Sequence, residues 1–399
     1  MTDTAAGFFP RNADLTLIQL EGSSILPAAA ALQDLKRAII ARHVRPENIK
    51  GWALVVTTLL PLAALWYGAV LSAGVSYWLT AGVVVLMSLF LLRVFVLMHE
   101  CGHGSLFRTA RINRVFGFIF GVVAGMPQYV WSRHHQHHHS TNGNWARYRG
   151  PLNIIPIEEY AAMTAPQQRR YRNARNIWLV PFAGFIYLIF NPRFTWLKGS
   201  VSLLRHIIAG KIARPGVSAK THALDFRTPY WSSDREYWHM FWNSVVVIAL
   251  WGLMAWMVGP LLFLVCYTVS VSLAGGAGIL LFTVQHNFEH SYASHDEGWD
   301  SNVAAIEGTS FLVLPRWLNW FTANIAYHHI HHLSARIPNY CLVACHDEHQ
   351  HLFTSITRIT LAGIPRAFRC ILWDTRAHRI TSVAEYLQQM ALPAGATAR

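Results

Sequence analysis

Residues 51–92 read GWALVVTTLLPLAALWYGAVLSAGVSYWLTAGVVVLMSLFLL and contain no Asp, Glu, Lys or Arg. A second charge-free run covers residues 237–288. One bilayer crossing takes about 20 apolar residues, so these runs of 42 and 52 residues each fit two spans folded as a hairpin. Turn signals fall inside both runs, at Ser72 to Gly74 and at Gly259-Pro260. We therefore expect an all-α integral membrane protein with four transmembrane helices in two hairpins, at roughly 52–71, 76–97, 240–258 and 261–283.

The overall composition agrees with a membrane protein that faces a reducing compartment. The mean hydropathy is +0.26 and 53% of the residues are hydrophobic. Five cysteines are scattered without a CxxC pair, which argues against a disulfide framework. The first ten residues lack a basic region followed by an apolar core, so we expect no cleaved signal peptide.

The net charge of +13 follows the expected membrane topology. Lys and Arg number six in residues 1–50, eighteen in 98–239 and eight in 284–399, and the hairpin turns carry none. The positive-inside rule then places both termini and the middle segment in the cytoplasm, as in a bacterial inner-membrane protein. Anionic lipid is the expected partner of this basic surface. Nucleic acid is not expected, because the charges are not clustered with aromatic motifs.

This topology divides the chain into five parts. Two further apolar stretches, 115–132 and 177–190, are interrupted by Gly or Pro, and we expect short, re-entrant or interfacial helices there. A helix over Pro27 to His43 is expected along the interface, and 193–236 is expected to be a polar connector. The parts are a cytoplasmic lead-in (1–50), hairpin one (51–97), a cytoplasmic cap segment (98–239), hairpin two (240–284) and a second cap segment (285–399).

Histidines recur at helical spacing in four places, each on the expected cytoplasmic side. Side chains three or four residues apart share one face of a helix, and neutral imidazole binds iron, zinc, copper and nickel. Ten such side chains are too many for one ion, so we expect an all-histidine site for two metals. The second group has an open register, because His135, His138 and His139 satisfy the same HxxHH spacing. The ten candidate ligands are His99, His103, His134, His137, His138, His286, His290, His328, His331 and His332.

Three competing interpretations are less favoured. The segment from His99 to His103 matches the HExxH pattern of zinc proteases, but that mechanism leaves the other histidines unused, and Glu100 is expected to orient an imidazole instead. A metal transporter would need polar groups inside its spans, and the two charge-free runs contain no Asp, Glu, Lys or Arg. The third interpretation is a zinc cluster, in a segment that we expect instead to be a solvated helix. Its ligands would be drawn from Cys341, Cys345, His346, His349 and His351.

As a set, these motifs resemble those of the integral-membrane fatty acid desaturases, especially the omega-6 (delta-12) acyl branch. The resemblance covers about residues 95 to 350 and the two-hairpin layout, and the HHxxTN spacing of that family favours His137-His138 as the register of the second group. The matching segments are HECGHGS (99–105), HHQHHHSTN (134–142), QHNFEH (285–290) and HHIHHLSARIPNY (328–340).

The resemblance implies a cytoplasmic helical cap that holds two non-haem irons, with the ten histidines as ligands. It implies that O₂ and two electrons are used to place a cis double bond in a lipid-linked or thioester-linked acyl chain. A haem-binding His-Pro-Gly-Gly motif is absent from the sequence, so an external ferredoxin or cytochrome b5 is the expected electron donor. The alternative on the same residues is an acyl hydroxylase or ketolase.

Overall fold

The structure, a computed structural model, describes residues 29–150 and 152–391 of the 399 in the chain. Within these residues it is mostly helical, with two small sheets. The helices are α1 (Ala29–His43), α2 (Asn48–Ala73), α3 (Tyr77–His103), α4 (Ala110–Ala124), α5 (Gln128–Thr141), α6 (Ile157–Ala161), α7 (Ala165–Ala174), α8 (Val180–Phe185), α9 (Asn191–Ala213), α10 (Ala219–Asp225), α11 (Asp234–Val258), α12 (Pro260–Val284), α13 (Ser301–Ile306), α14 (Arg316–Phe321), α15 (His328–Leu333), α16 (Leu342–Glu348), α17 (Ile364–Ala367) and α18 (Val383–Ala391).

The strands are short, and β1 of the first half pairs with β4 of the second half. The first pairs in parallel with the fourth, which pairs antiparallel with the fifth, and the second pairs in parallel with the third. They are β1 (Ile155–Pro156), β2 (Phe311–Val313), β3 (Arg358–Thr360), β4 (Leu372–Asp374) and β5 (Arg379–Thr381).

Both predicted hairpins are present as pairs of long apolar helices. A turn of three residues joins α2 to α3, and Gly259, at φ 90°, joins α11 to α12, where Pro260 occupies the first turn. Helix α3 is the central helix, since it packs against α2, α4 and α12. Its last turn carries His99 and His103, and Gly104, at φ 70°, ends it directly afterwards. The first histidine pair therefore continues the second apolar helix, as the sequence predicts.

Arg93 is the one basic residue in the interior of α3, and it is 1% exposed. Its Nε donates to Thr58 Oγ1 of α2 at 3.0 Å, and its guanidinium lies 3.8 Å from the ring centroid of Trp320 in α14. A buried cation needs such partners. Arg93 thus joins three elements around the central helix.

Helices α4 and α5 meet at a bend of 100°. Gly125, at φ 78°, ends α4, and Pro127 precedes α5. The bend is so tight that a Cβ at Gly121 would lie 2.5 Å from the Met126 carbonyl oxygen, so this position requires glycine. This break corresponds to the interrupted stretch 115–132, and it returns the second histidine group toward α3.

The segment after residue 176 is more helical than the sequence predicts. Beyond the short helix expected at 177–190, helical structure continues over Ile177–Ala213, with α8 and α9 joined through a π-helical turn at Ile186–Phe190. Residues 193–213 are therefore helical, which the sequence alone did not specify, and their place on the cytoplasmic side stays a prediction. Pro181 and Pro192 do not interrupt this helical stretch, because they lie in the first turns of α8 and α9, where proline is tolerated.

Five helical stretches of the described chain are long and apolar enough to cross a membrane, or six if the bent pair counts as one span. The fifth is Ile177–Ala213. Its α8 contacts α12 at backbone distance, because a Cβ at Gly184 would lie 2.3 Å from the Gly276 nitrogen. Length and composition alone thus allow more spans than the four predicted.

Candidate metal centre

Two groups of imidazoles converge where α3, α5 and α15 meet. Within each group the ligand atoms lie within 4.8 Å of one another. Nine histidines take part, seven of which belong to the ten predicted from sequence. The five-histidine cluster consists of His99, His103, His135, His139 and His331, and the four-histidine cluster consists of His138, His286, His328 and His332.

Imidazole nitrogens face one another directly in the five-histidine cluster. The Nε2 atoms of His99 and His103 are 3.2 Å apart. His139 Nε2 lies 3.0 Å from the Nε2 atoms of both His135 and His331. Between two facing nitrogens of neutral imidazoles, one ring can donate its proton to the lone pair of the other. When several such nitrogens converge, some lone pairs face each other with no proton between them. A cation among them removes that repulsion.

The four-histidine cluster has the same construction. His286 Nε2 lies 2.9 Å from His328 Nε2, and His138 Nε2 lies 3.2 Å from His332 Nε2. The rings of His139 and His332 stack with centroids 4.2 Å apart, so the two clusters adjoin. Helix α5 and helix α15 each supply ligands to both clusters, which makes them parts of one centre.

The second histidine group lies in the register that the sequence left as an alternative. His135 and His138 are buried and His139 is half-buried, whereas His134 and His137 are exposed. The preference for His134 and His137 was therefore wrong about which side chains enter the centre. The bend before α5 sets this rotation, and the Trp131 ring stacks on His135 with centroids 4.5 Å apart. The apolar Trp131, four residues before His135, is the sequence signal that marks the inward face.

His290 was also expected in the centre and lies outside it. Helix α12 ends at Val284, so the four-residue spacing of His286 and His290 does not place them on one helical face. His290 is exposed at φ 68° and contacts Arg379. His286 alone enters the four-histidine cluster.

Neighbouring groups hold the rings in place. Gly308 O lies 3.2 Å from His286 Nδ1 and accepts its proton, which leaves Nε2 free to bind a metal. Glu100 is fully buried: its Oε2 accepts from Ser105 Oγ at 2.9 Å and from the Asn339 backbone N–H at 3.0 Å. Its Oε1 lies 3.3 Å from His99 Nδ1. Oε1 makes no hydrogen bond to His99, so Glu100 packs beside the ring, and its full burial does not suit the water-activating base of an HExxH protease.

The imidazoles are held in the neutral form that binds metal. Burial lowers the pKa of His286 to about 4, although the Gly308 carbonyl opposes the shift. Burial, with smaller contributions from neighbouring imidazoles, holds the pKa of His328, His331 and His332 well below the ordinary value. Desolvation disfavours the charged ring. The donor set therefore offers lone pairs at neutral pH without a carboxylate among the converging atoms.

An apolar cavity of about 560 Å³ leads to this centre. Helices α3, α5 and α12 and the π-helical turn at Ile186–Phe190 form most of its walls, in which Trp131 Nε1 donates to Tyr187 Oη at 2.9 Å. Cavities of this size and character accommodate apolar ligands. Its lining includes histidines of both clusters, namely His99, His135, His138 and His328.

A family model for fatty acid desaturases matches residues 76–357, which is more than half of the chain. The chain belongs to the fatty acid desaturase family. Members of this family are oxidoreductases that act on lipid or acyl substrates. The apolar helices and the histidine clusters agree with a membrane-bound member of it.

Individual relatives agree with the family. A fatty acid desaturase of Bacillus subtilis is 32% identical over 336 residues, which cover 84% of this chain and 86% of that protein. An sn-1 oleoyl-lipid 12-desaturase of Picosynechococcus is 26% identical over 304 residues, covering 74% of this chain and 75% of the relative. An oleate hydroxylase of Claviceps purpurea is 26% identical over 139 residues, 33% of this chain and 29% of the hydroxylase. The resemblance to desaturases, including the omega-6 and delta-12 enzymes, is thus confirmed.

Proposed function

We propose that this protein is a di-iron acyl desaturase that places a cis double bond in a lipid-linked or thioester-linked acyl chain, with O₂ as co-substrate and two electrons from an external donor. The observation that carries the proposal is the apolar cavity that reaches histidines of both clusters. An alkyl chain is the substrate that such a cavity fits, because its walls offer few polar partners.

The nine clustered histidines are the proposed iron ligands, five for one ion and four for the other. All-nitrogen imidazole sets suit iron, and no carboxylate oxygen of the described chain joins either cluster. When bound, an iron pair with O₂ supplies an oxidant strong enough to take hydrogen from an unactivated CH₂. His134, His137 and His290 are excluded from the proposed ligand set.

The protein positions the chain and keeps water away. Leu91, Leu92 and Phe95 on α3 face the cavity together with Val271 and Ala274 on α12. These side chains offer no hydrogen bond, so the acyl chain is held by burial, at about 0.8 kcal/mol for each CH₂. The carbon that reacts is then the one that lies beside the clusters when the chain fills the cavity. Glu100, packed beside His99, and the Gly308 carbonyl keep the rings oriented during this step.

The membrane arrangement in this proposal keeps four spans, α2 with α3 and α11 with α12, and treats Ile177–Ala213 as an interfacial helix. The termini and the histidine centre face the cytoplasm, where a soluble ferredoxin or cytochrome b5 delivers electrons and basic residues contact anionic lipid. The cap is then formed by 98–239 and 285–399 around the two hairpins. Reporter fusions at Gly74 and Gly259 should read non-cytoplasmic, and a fusion at Gly216 should read cytoplasmic. A non-cytoplasmic reading at Gly216 would make Ile177–Ala213 a fifth span.

Expression in a host that makes only saturated and mono-unsaturated lipids tests the reaction. We expect new double bonds, located by mass spectrometry of the fatty acids, and a loss of two hydrogens per product. A gain of one oxygen instead would identify a hydroxylase, which the Claviceps relative makes worth testing. The purified enzyme should hold about two irons, and the His331→Ala variant should yield no product because His331 lies in the five-histidine cluster.

A further inference from the structure

A third group of metal-binding side chains lies outside the two histidine clusters. It consists of His43 at the end of α1, Cys345 in α16 and His349 just after α16, with ligand atoms within 4.8 Å of one another. About three hundred residues separate His43 from the other two, so no sequence motif could bring them together. The sequence predicts a solvated helix here, but Cys345 is 0% exposed and His346 is also buried.

His43 and Cys345 are buried and His349 is half-buried, and the group is incompletely partnered. His43 is 8% exposed, and its Nε2 makes no hydrogen bond, although Glu348 Oε2 lies 3.1 Å away. His349 Nδ1 lies 3.0 Å from the Cys345 carbonyl oxygen and donates to it, which leaves His349 Nε2 available. A buried nitrogen without a partner is costly unless a ligand satisfies it.

The chemistry of the group differs from that of the histidine clusters. One thiol, two imidazoles and the adjacent Glu348 carboxylate form a set of four donors with sulfur, nitrogen and oxygen, which is the set that zinc accepts in a tetrahedral site. Bonds of about 2.0 to 2.3 Å at tetrahedral angles separate the donors by roughly 3.3 to 3.8 Å. The ligand atoms of His43, Cys345 and His349 lie within 4.8 Å of one another, so these three side chains need only small rotations. Glu348 Oε2 lies 3.1 Å from His43 Nε2 and would have to turn further toward the other two donors to complete the set.

The charges in the neighbourhood balance around such an ion. Thiolate and carboxylate together carry two negative charges, which a divalent cation neutralises. The other oxygen of Glu348, Oε1, lies 2.5 Å from Arg42 Nη1, which turns Oε2 toward His43. The arrangement therefore places a carboxylate donor beside the imidazole of His43, within the range of donors that zinc sites use.

We propose that His43, Cys345 and His349, with Glu348 as the fourth ligand, bind a structural Zn²⁺ that fastens α1 to α16. At this position the ion would stabilise the contact between α16 and α15. His346, next to Cys345, shares a hydrogen bond of 3.0 Å with His329, whose neighbours His328 and Ile330 belong to α15. Zinc bound here holds α16 against the helix that supplies ligands to both histidine clusters.

Metal analysis of the purified full-length protein tests the proposal. We expect about one zinc per chain in addition to iron, and loss of that zinc in the Cys345→Ser variant with iron unchanged. Cys341→Ser is the matched control, because Cys341 lies four residues earlier and outside the group. It should keep the zinc. Absence of zinc from the wild type, or zinc retained in Cys345→Ser, would overturn the proposal.

Cobalt provides a second readout that does not depend on the folding of a variant. Co²⁺ bound to a cysteine thiolate shows an intense near-ultraviolet charge-transfer band, whereas Co²⁺ in an all-histidine cluster does not. Wild-type protein loaded with Co²⁺ should show the band, and added Zn²⁺ should remove it. A protein that takes up Co²⁺ without this band would refute a cysteine-ligated site, whatever the outcome for iron and desaturation.

Discussion

Gly278 of α12 offers a direct way to shorten the proposed acyl cavity. It lines the cavity, and a Cβ added there would meet only Leu92 Cδ1, at 3.9 Å. A leucine at this position therefore projects into open space without displacing backbone. Helix propensity favours the change as well, since leucine is better than glycine in a helix by roughly 0.8 kcal/mol.

The expected effect follows from the chain length that the new side chain displaces. If Gly278→Leu displaces three to four methylenes, the lost burial is about 0.8 kcal/mol each, or roughly 2.4 to 3.2 kcal/mol in all. That loss corresponds to a kcat/KM about 50- to 200-fold lower for the full-length acyl chain, at 1.4 kcal/mol per factor of ten. Chains shortened by the same number of methylenes at the buried end should lose far less.

The assay compares kcat/KM for a series of acyl chain lengths in the wild type and in two variants. Gly252→Leu on α11 is the matched control, because nothing lies within 4 Å of a Cβ there and Gly252 does not line the cavity. It should leave the length profile unchanged. An equal loss at every chain length in Gly278→Leu, or the same loss in Gly252→Leu, would refute the assignment of this cavity to substrate.

Three further outcomes test the centre itself. His139→Ala should lose both iron and activity, because His139 lies in the five-histidine cluster. His137→Ala should retain both, because His137 is exposed on the same helix. Iron content and turnover are the measurements. His286→Ala should likewise lose iron, while His290→Ala, an exposed side chain, should not. Glu100→Gln keeps an acceptor for its neighbours but replaces one carboxylate oxygen beside the first histidine pair with an amide nitrogen, so iron affinity should fall by about 10- to 100-fold, measured by competition with a chelator.

The helical hairpins could be predicted because the information for them is local. Charge-free runs fix where α2, α3, α11 and α12 lie, and the observed bounds extend the predicted spans by a few residues at most of their ends. The recurrence of histidines in four groups was also visible in the spacing, although the group at His286 lies after the end of α12 and not on a helix. Whether these helices cross a bilayer in four spans remains a prediction, since Ile177–Ala213 has comparable length and apolar character.

The errors arose where rotation or termination of a helix decides the outcome. The register of α5 depends on a 100° bend at Gly125, and the adjacent histidines satisfy the HxxHH pattern in two registers. The prediction that His290 binds metal failed because α12 ends at Val284, six residues before His290. The third metal group needs α1 to pack on α16, a long-range contact that no local pattern encodes.

Shared ligation by α5 has a consequence for how the family can vary. Successive residues of an α-helix are rotated by about 100° about its axis. One inserted or deleted residue between His135 and His139 would therefore point some of these imidazoles toward the wrong cluster or toward solvent. The loop that follows α5 carries none of the nine ligands and is therefore freer to change in length than the tight bend before α5. Evolution of this scaffold is therefore expected to change loop lengths and cavity-lining side chains while the spacing inside this helix stays fixed.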